Sequence, residues 1–424
     1  NIGFYTGPTE TSKPIRDLDL RGAYTIGLCD IFTFDYDNIR PSYDVDDYLG
    51  HVAGFAHVKF TFPKGTRFPC LPVSAGDKGL IFPLQGESYC TAPELLAAYN
   101  QGCEIEIIHG VIVPWAQTKH RLFEPFITKV RIERNKAQAV SDKSKDSVWK
   151  NLALQIYGKV SQAVSPVDKT VFDTRNNKSK SIGPSAVSHE VMAAHTTGFI
   201  RAVIFELLNQ IPRDELVVSV TTDGFLTTYP LESFDFTTPL CGRYQDHCNR
   251  IDGKPMLEEK GCIKQAVGMK TRGQLTAQIF AGKPPILAKA GVKPIITIEH
   301  DDTADTIKDK QNEEMINLYL NRKFDAEPME LSSLISLKDM WLTESDLVRK
   351  NMRRRLNLEY DFKRKPISPK MVDVRDTEHL AFDSEPWDTI DEFKRVRATF
   401  DAFRRRGNLK TMEDWFDWED YLQT

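Results

Sequence analysis

Among the 424 residues of the chain, the side chains best placed to do chemistry are carboxylates set within apolar runs. Asp223 lies in residues 217–228 (VVSVTTDGFLTT). Asp-Gly between β-branched runs predicts a hairpin, with Gly224 taking the positive φ of a tight turn. Asp suits such a turn through hydrogen bonds to its own backbone, yet here it also sets a lone carboxylate at the tip of an apolar ribbon. Residues 15–20 (IRDLDL) alternate as a short strand, with Asp17 and Asp19 on one face and Leu18 and Leu20 on the other. A third group is cationic. Lys143, Lys150 and Tyr157 are spaced seven apart, so a helix stacks them on one stripe with a drift of about 40°. That stripe suits a polyphosphate with an aromatic floor beneath a base, or plain solvent decoration. Gly158 would let a ligand approach the backbone closely. Thr197 and Arg201 share a helix face four residues apart, where an Arg can clamp a phosphate bidentately.

The elements that must carry these residues follow from periodicity. Residues 50–115 read as β-rich, interrupted by a short helix from Pro93 to Gln101 that Thr91 caps and Gly102 ends. Residues 122–164 are helical with a break near Ser141, as in a two-helix arm. Residues 176–183 (NNKSKSIG) read as a polar loop, residues 188–210 as a strong helix ended by Pro212, and the chain after residue 275 as mixed and mostly helical.

Composition sets bounds. Hydrophobic residues make up 41% and aromatics 10% of the chain, enough for a sizeable core, and at ordinary domain sizes the length predicts two to four packed units. No run approaches the roughly 18 apolar residues of a membrane helix, which predicts a soluble protein with no membrane partner. Seven cysteines without a CxxC pair predict a reducing, intracellular setting rather than a disulfide framework. Cys241, His247, Cys248 and Cys262 lie close together, with a spacing that fits no common zinc pattern. Net charge is only −4, but residues 346–370 hold nine basic side chains against three acidic ones. Such a block is a solvated face or a surface that tracks phosphates.

Several of these segments fall in a recognisable order: Tyr5-Thr6-Gly7, then DLRGAY at 19–24, KNLALQIYG at 150–158, Thr197 to Arg201, Thr221-Thr222-Asp223, and Lys270-Thr271-Arg272. In type, order and spacing this series resembles the polymerase half of family B DNA polymerases. The likeness is to the protein-primed branch of phages and linear plasmids and to its primer-independent relatives. It covers roughly residues 3–275 and continues more thinly into Tyr360–Arg364 (YDFKR). The chain departs from the family pattern at Thr221 (usually Asp), Leu154 (usually Asn), Thr25 (usually Pro) and Arg272 (usually Tyr).

The resemblance implies an α+β, right-hand polymerase fold: a palm with an antiparallel sheet, helical fingers and a thumb. The expected divisions are 1–121 for the first palm part, with a β-rich insertion at about 40–115, then 122–164 for fingers and 165–185 for an insertion loop. A second palm part with the catalytic hairpin would occupy 186–275, and a thumb with C-terminal extension 276–424. The implied activity is template-directed addition of deoxynucleotides to a 3′-hydroxyl, in the replication of a phage, plasmid or other mobile element. Two Mg²⁺ ions, replaceable by Mn²⁺, would be held by Asp19, Asp223 and the Leu20 carbonyl. Nucleotidyl transfer of this kind places the two ions about 3.5–4 Å apart, and two carboxylates are the least that bridges them. Tyr24, Arg134, Lys143, Lys150 and Tyr157 would bind the deoxynucleoside triphosphate. Tyr5, Gly7, Thr197, Arg201, Lys270, Arg272, Arg353, Arg354, Lys363 and Arg364 would contact primer-template DNA. A proofreading exonuclease has no room upstream of Tyr5, and Asp325-Ala326-Glu327 and Asp383-Ser384-Glu385 read as surface residues. A terminal protein or a separate exonuclease piece are therefore the further partners the likeness implies. The departures leave one alternative, a catalytically degenerate relic that keeps a nucleic-acid-binding cleft.

Overall fold

The computed structural model describes residues 7–76, 79–164, 169–270, 272–289, 291, 294–320, 329–346, 349–354 and 363–403. Tyr5, and the side chains of Lys270, Arg353 and Arg354, lie outside the described residues, as does the Asp325–Glu327 triplet.

The chain enters on β1 (Gly7–Pro8) and β2 (Ile15–Leu20) and turns into α1 (Ala23–Leu28). The alternation expected for β2 is present: Leu18 and Leu20 are buried on one face, and Asp17 and Asp19 stand half-buried on the other, which the buried Ile15 shares at the start of the strand. An insertion follows, made of β3 (Arg40–Pro41), β4 (Ala53–Thr61), the short pair β5 (Val73–Ser74) and β6 (Leu80–Ile81), β7 (Gln85–Thr91), α2 (Ala92–Asn100) and β8 (Glu104–Val113). Four of these strands form an antiparallel sheet in the order β3-β8-β4-β7. Its inner face delivers Val58, Phe60, Cys90 and Ile112 to the core. A capping box between Thr91 and Glu94 starts α2, and Gly102, with φ +74°, follows its end.

The helical arm is α3 (Glu124–Ala139) and α4 (Lys143–Val160), separated at Ser141, whose φ of 55° no helix tolerates. Beyond it, β9 (Thr170–Asp173) and β10 (Lys178–Ser181) pair antiparallel. The run at 176–183 is thus half of an exposed ribbon rather than a plain loop; its polar residues hid the strand because neither face is buried. Next, α5 (Glu190–Gln210) crosses the core between α1, α2 and α6 (Pro239–Ile251). Among the described residues it alone is long and apolar enough to cross a membrane by length and composition, which corrects the expectation that no such run exists; most of that stretch is buried inside the fold.

Between α5 and α6 run β11 (Val217–Val220) and β12 (Gly224–Thr227), and after α6 come β13 (Leu257–Lys270), β14 (Gly273–Ile279) and β15 (Ala288–Lys289). The central antiparallel sheet has the order β11-β12-β2-β13-β14-β15, with β1 paired to β13. The remaining elements are α7 (Ala304–Leu320), β16 (Met329–Leu334), α8 (Leu337–Leu342), β17 (Arg349–Arg354), β18 (Lys365–Asp373), β19 (Glu378–Glu385) and α9 (Ile390–Phe403). The expectation of mostly helix here is corrected by two antiparallel hairpins, β16–β17 and β18–β19. Their strands carry charged and proline residues that blur the period-two signal.

Candidate active site

The carboxylates meet because β2 lies between the β11–β12 hairpin and β13. In register, Asp19 faces Gly224 on one side and Glu258 on the other, while Asp17 faces Leu226 and Gly261. The Leu20 amide donates to the Asp223 carbonyl at 2.7 Å, which ties the hairpin tip to β2. The turn itself is closed by the Thr221 amide bonding to the Gly224 carbonyl at 2.8 Å. Gly224 is not at positive φ, contrary to the turn argument. It is glycine for space: a Cβ there would sit 2.7 Å from the Leu18 carbonyl oxygen and 3.0 Å from Asp19 Oδ1.

Packing so many acids together has an electrostatic cost that shows in their protonation. Burial, then the Asp223 charge, pushes Asp19 up to about 7 against the pull of Lys260. Burial likewise pushes Asp17 up to about 6, opposed by Lys308 and Lys260. Asp223 is raised by burial and restrained by Arg272 and Lys260. Lys260 Nζ lies 3.9 Å from Asp19 Oδ2 and also pairs with Glu258, which in turn takes Arg21 Nη2 at 2.7 Å. Sequence reasoning missed Lys260 and Glu258. The signal available was the length of β13, whose 257–263 stretch pairs along β2 and so must project onto the same carboxylate face.

Beside the carboxylates, Tyr24 of α1 stacks on Tyr157 of α4, ring centroids 4.3 Å apart at 24°. Burial first, with the nearby Asp223 charge among the lesser causes, pushes the Tyr24 phenol up to about 12, so it stays a neutral donor. The Tyr157 hydroxyl meets Thr197 Oγ1 at 2.5 Å, and Thr197 donates back to the Ala193 carbonyl. Lys143 and Lys150 are exposed on α4, on the stripe that ends at Tyr157. Arg272, with φ 58°, reaches back to Thr222 Oγ1 at 3.4 Å and so stands at the hairpin tip.

Other expected contacts are placed elsewhere. Arg134 is tied to Asp146 at 2.8 Å and braces α3 against α4. Arg201 is paired with Glu94, the nearly buried acid of the α2 capping box, so its charge is already answered inside the fold. Gly7 is buried, and a Cβ on it would sit 2.8 Å from the Leu380 carbonyl oxygen, which makes it a packing glycine rather than a DNA-facing one. Arg364 is withdrawn from the surface: it bonds Ser384 and lies over the Phe68 ring at 5.2 Å. Burial pulls it down to about 9. Lys363 lies near Gly79, on the insertion. Cys241 and Cys248 are buried free thiols, and among the described residues no three or more His, Cys, Asp or Glu side chains gather as a metal cluster.

A buried polar knot also escaped sequence reasoning. Asp30, fully buried after α1, accepts from His195 Nε2 at 2.8 Å and His247 Nε2 at 2.9 Å. His51 Nε2 bonds the Asp30 carbonyl at 2.9 Å, and Arg243 Nε lies 3.3 Å from Oδ1 at ion-pair distance. Arg243 and these partners hold Asp30 well below the carboxylate range despite burial, while burial lowers both His195 and His247.

Superposition on solved structures gives the class. Phi29 DNA polymerase complexed with primer-template DNA and incoming nucleotide matches over 84% of this chain and 61% of that one, with a TM-score of 0.52 at 12% identity. A second Phi29 complex, with primer-template DNA alone, matches over 90% of this chain and 60% of that one, with a TM-score of 0.46 at 12% identity. The first of these matches gives the fold, a right-hand polymerase architecture with a curled antiparallel sheet. No protein-family model matches the chain. Over 414 residues, 96% of its length, it is 45% identical to the primer-independent DNA polymerase PolB of Escherichia coli. That likeness runs along nearly the whole chain and agrees with the resemblance to family B DNA polymerases carried by its motifs. The chain spans 46% of the length of this relative.

Proposed function

We propose that the chain is a template-directed DNA polymerase core that adds deoxynucleotides to a primer 3′-hydroxyl, using two divalent cations. The observation that carries this reading is the meeting of Asp19 on β2 with Asp223 at the tip of the β11–β12 hairpin, next to the Gly224 that pairs with Asp19, each carboxyl raised by burial and Asp19 raised further by the Asp223 charge. A pair of acids in that state gains most from a cation, and Lys260 already leans toward it. The donor set suits Mg²⁺, which takes one or two carboxylates plus substrate phosphates. Asp19, Asp223 and the Leu20 carbonyl would hold the ions, which when bound supply hydroxyl activation and charge neutralisation.

The remaining roles belong to the chain's own side chains. Lys150 and Lys143 would meet the triphosphate and stabilise the charge that develops as pyrophosphate leaves. The Tyr24–Tyr157 stack would form the floor under the sugar and the nascent pair, with Tyr24 crowding a 2′-hydroxyl. Thr197 holds Tyr157 in place through its hydroxyl. Arg272, at the hairpin tip, would approach the primer end. Thr221 in place of an Asp removes one negative charge while leaving the two bridging carboxylates, so the chemistry survives the departure. Service to a phage, plasmid or other mobile element, and contact with a terminal protein or an exonuclease piece, would follow from the same family reading.

The test is single-nucleotide extension of a primed template with Mg²⁺ and then Mn²⁺, comparing the parent with Asp223→Asn. Asn keeps the turn but not the charge, so loss of at least about 10²-fold in rate with unchanged melting is expected. Extension by Asp223→Asn at the parent rate would sink the two-carboxylate site.

A further inference from the structure

The outer face of the four-stranded insertion sheet carries something a packing role does not explain. In register, His57 of β4 lies opposite Tyr89 of β7 on one side and His109 of β8 on the other, so three rings cross the sheet in one row. His57 and Tyr89 are stacked, centroids 4.3 Å apart and 9° from parallel. Glu87 Oε2 meets His57 Nε2 at 3.0 Å and fixes that ring. Tyr89 is nevertheless 79% exposed, which is unusual for a large aromatic held in a regular strand. The row lines a cavity of about 650 Å³ whose far wall is Tyr157, Thr197 and Arg201.

We propose that this face is a stacking platform for the unpaired template strand as it approaches the active site. The proposal rests on the polymerase reading above, which puts Tyr157 beneath the nascent pair; the cavity then runs from that pair onto the insertion sheet. Three features favour a single strand of DNA over a protein partner. Exposed rings on an antiparallel sheet offer π-faces that accept any base, as a sequence-independent strand requires. The row spans two strand spacings, roughly 9–10 Å, which fits one or two splayed bases. The cavity wall is apolar and carries Glu94 and Glu190 rather than free cations, so it suits bases entering while the phosphates stay outside.

The experiment places 2-aminopurine at the first three unpaired template positions of a primer-template and follows its fluorescence with the full chain and with Tyr89→Ala, Tyr89→Phe and His57→Ala. Stacking on the platform quenches the probe at one of these positions. Tyr89→Ala should relieve the quench and weaken binding of overhang-bearing DNA roughly tenfold, within the range alanine substitution of a stacking ring gives. Tyr89→Phe should restore both, and blunt duplex affinity should be unchanged throughout. Because Tyr89 is largely exposed, melting should not move. Quench and overhang affinity that ignore Tyr89→Ala, with primer extension intact, overturn the platform and leave the polymerase standing. Absent extension by the parent chain, with the Tyr89-dependent quench retained, sinks the polymerase reading instead and leaves a single-strand-binding face.

Discussion

Replacing Asp30 with Asn removes the anion on which four basic side chains converge. The parent arrangement buries a carboxylate at 0% exposure beside a guanidinium that is itself only 13% exposed, with two buried imidazoles donating to the same carboxylate. Asn keeps the shape and one acceptor oxygen, but Arg243 then holds an uncompensated charge in the core. Breaking a buried pair from one side costs about 3–5 kcal/mol. Unfolding entropy near 2.1 cal/mol/K per residue gives roughly 0.9 kcal/mol/K for a chain of this length, so Tm should fall by about 3–6 °C. Thermal melting followed by circular dichroism reads this directly. The double variant Asp30→Asn with Arg243→Met should recover most of the loss, because removing both charges is far cheaper than removing one. An unchanged Tm in Asp30→Asn, or a double variant no better than the single, would refute the claim that the Asp30–Arg243 charge pair organises this part of the core.

Because burial holds His195 and His247 below their ordinary value, the unfolded chain takes up protons at a pH where the fold does not. The contribution of these two imidazoles to stability should be full above about 6.5 and decline as pH falls below it. It is opposed in the same range by Asp17 and Asp19, whose raised carboxyls favour the fold as pH falls. Chemical denaturation at stepped pH of an Asp17→Asn, Asp19→Asn variant, which removes the opposing groups, will show the decline; the Asp30 contribution is lost only further down, below about 3.8. Lys150→Ala should weaken incoming-nucleotide binding roughly tenfold or more, the scale of a charge-assisted hydrogen bond, while duplex affinity measured by anisotropy stays near the parent value. Gly224→Ala should abolish extension and lower Tm together, since the new Cβ meets both the Leu18 carbonyl and the Asp19 carboxylate. Neutralising Arg353 and Arg354 in β17 should flatten the salt dependence of primer-template binding, by about 0.9 in log–log slope for each phosphate that is no longer neutralised.

The parts of the fold that were legible in the sequence share one property: their signal is local. IRDLDL declares its two faces by strict alternation, and β2 has those faces. Thr91, Glu94 and Gly102 mark the ends of α2 by capping chemistry that needs only neighbouring residues. Ser141 breaks the arm where the apolar period fails. The hairpin at Asp223 was legible too, although for the wrong reason at Gly224, since a clash with a strand roughly 200 residues away cannot be seen from the turn. Family motifs extended that reach, joining Asp19 to Asp223 and Tyr24 to Tyr157 across the chain before any geometry was in view.

What stayed hidden is what depends on a partner distant in sequence. A guanidinium looks the same in a sequence whether it faces a phosphate or a buried Glu. Arg201 and Glu94 are 107 residues apart, and their pairing is fixed only when α5 crosses α2. Arg364 reads as the centre of a basic block, yet β18–β19 turns it inward onto Phe68. Asp30 and His247 are 217 residues apart and share no motif, so nothing in either neighbourhood announces the polar knot they build. The platform row follows the same logic. His57, Tyr89 and His109 sit on three strands, and each alone reads as an ordinary exposed side chain; antiparallel register lines them up. Charge and ring identity therefore say which chemistry a residue can do, while the pairing of distant strands and helices decides whether that chemistry is spent inside the fold or offered to a ligand.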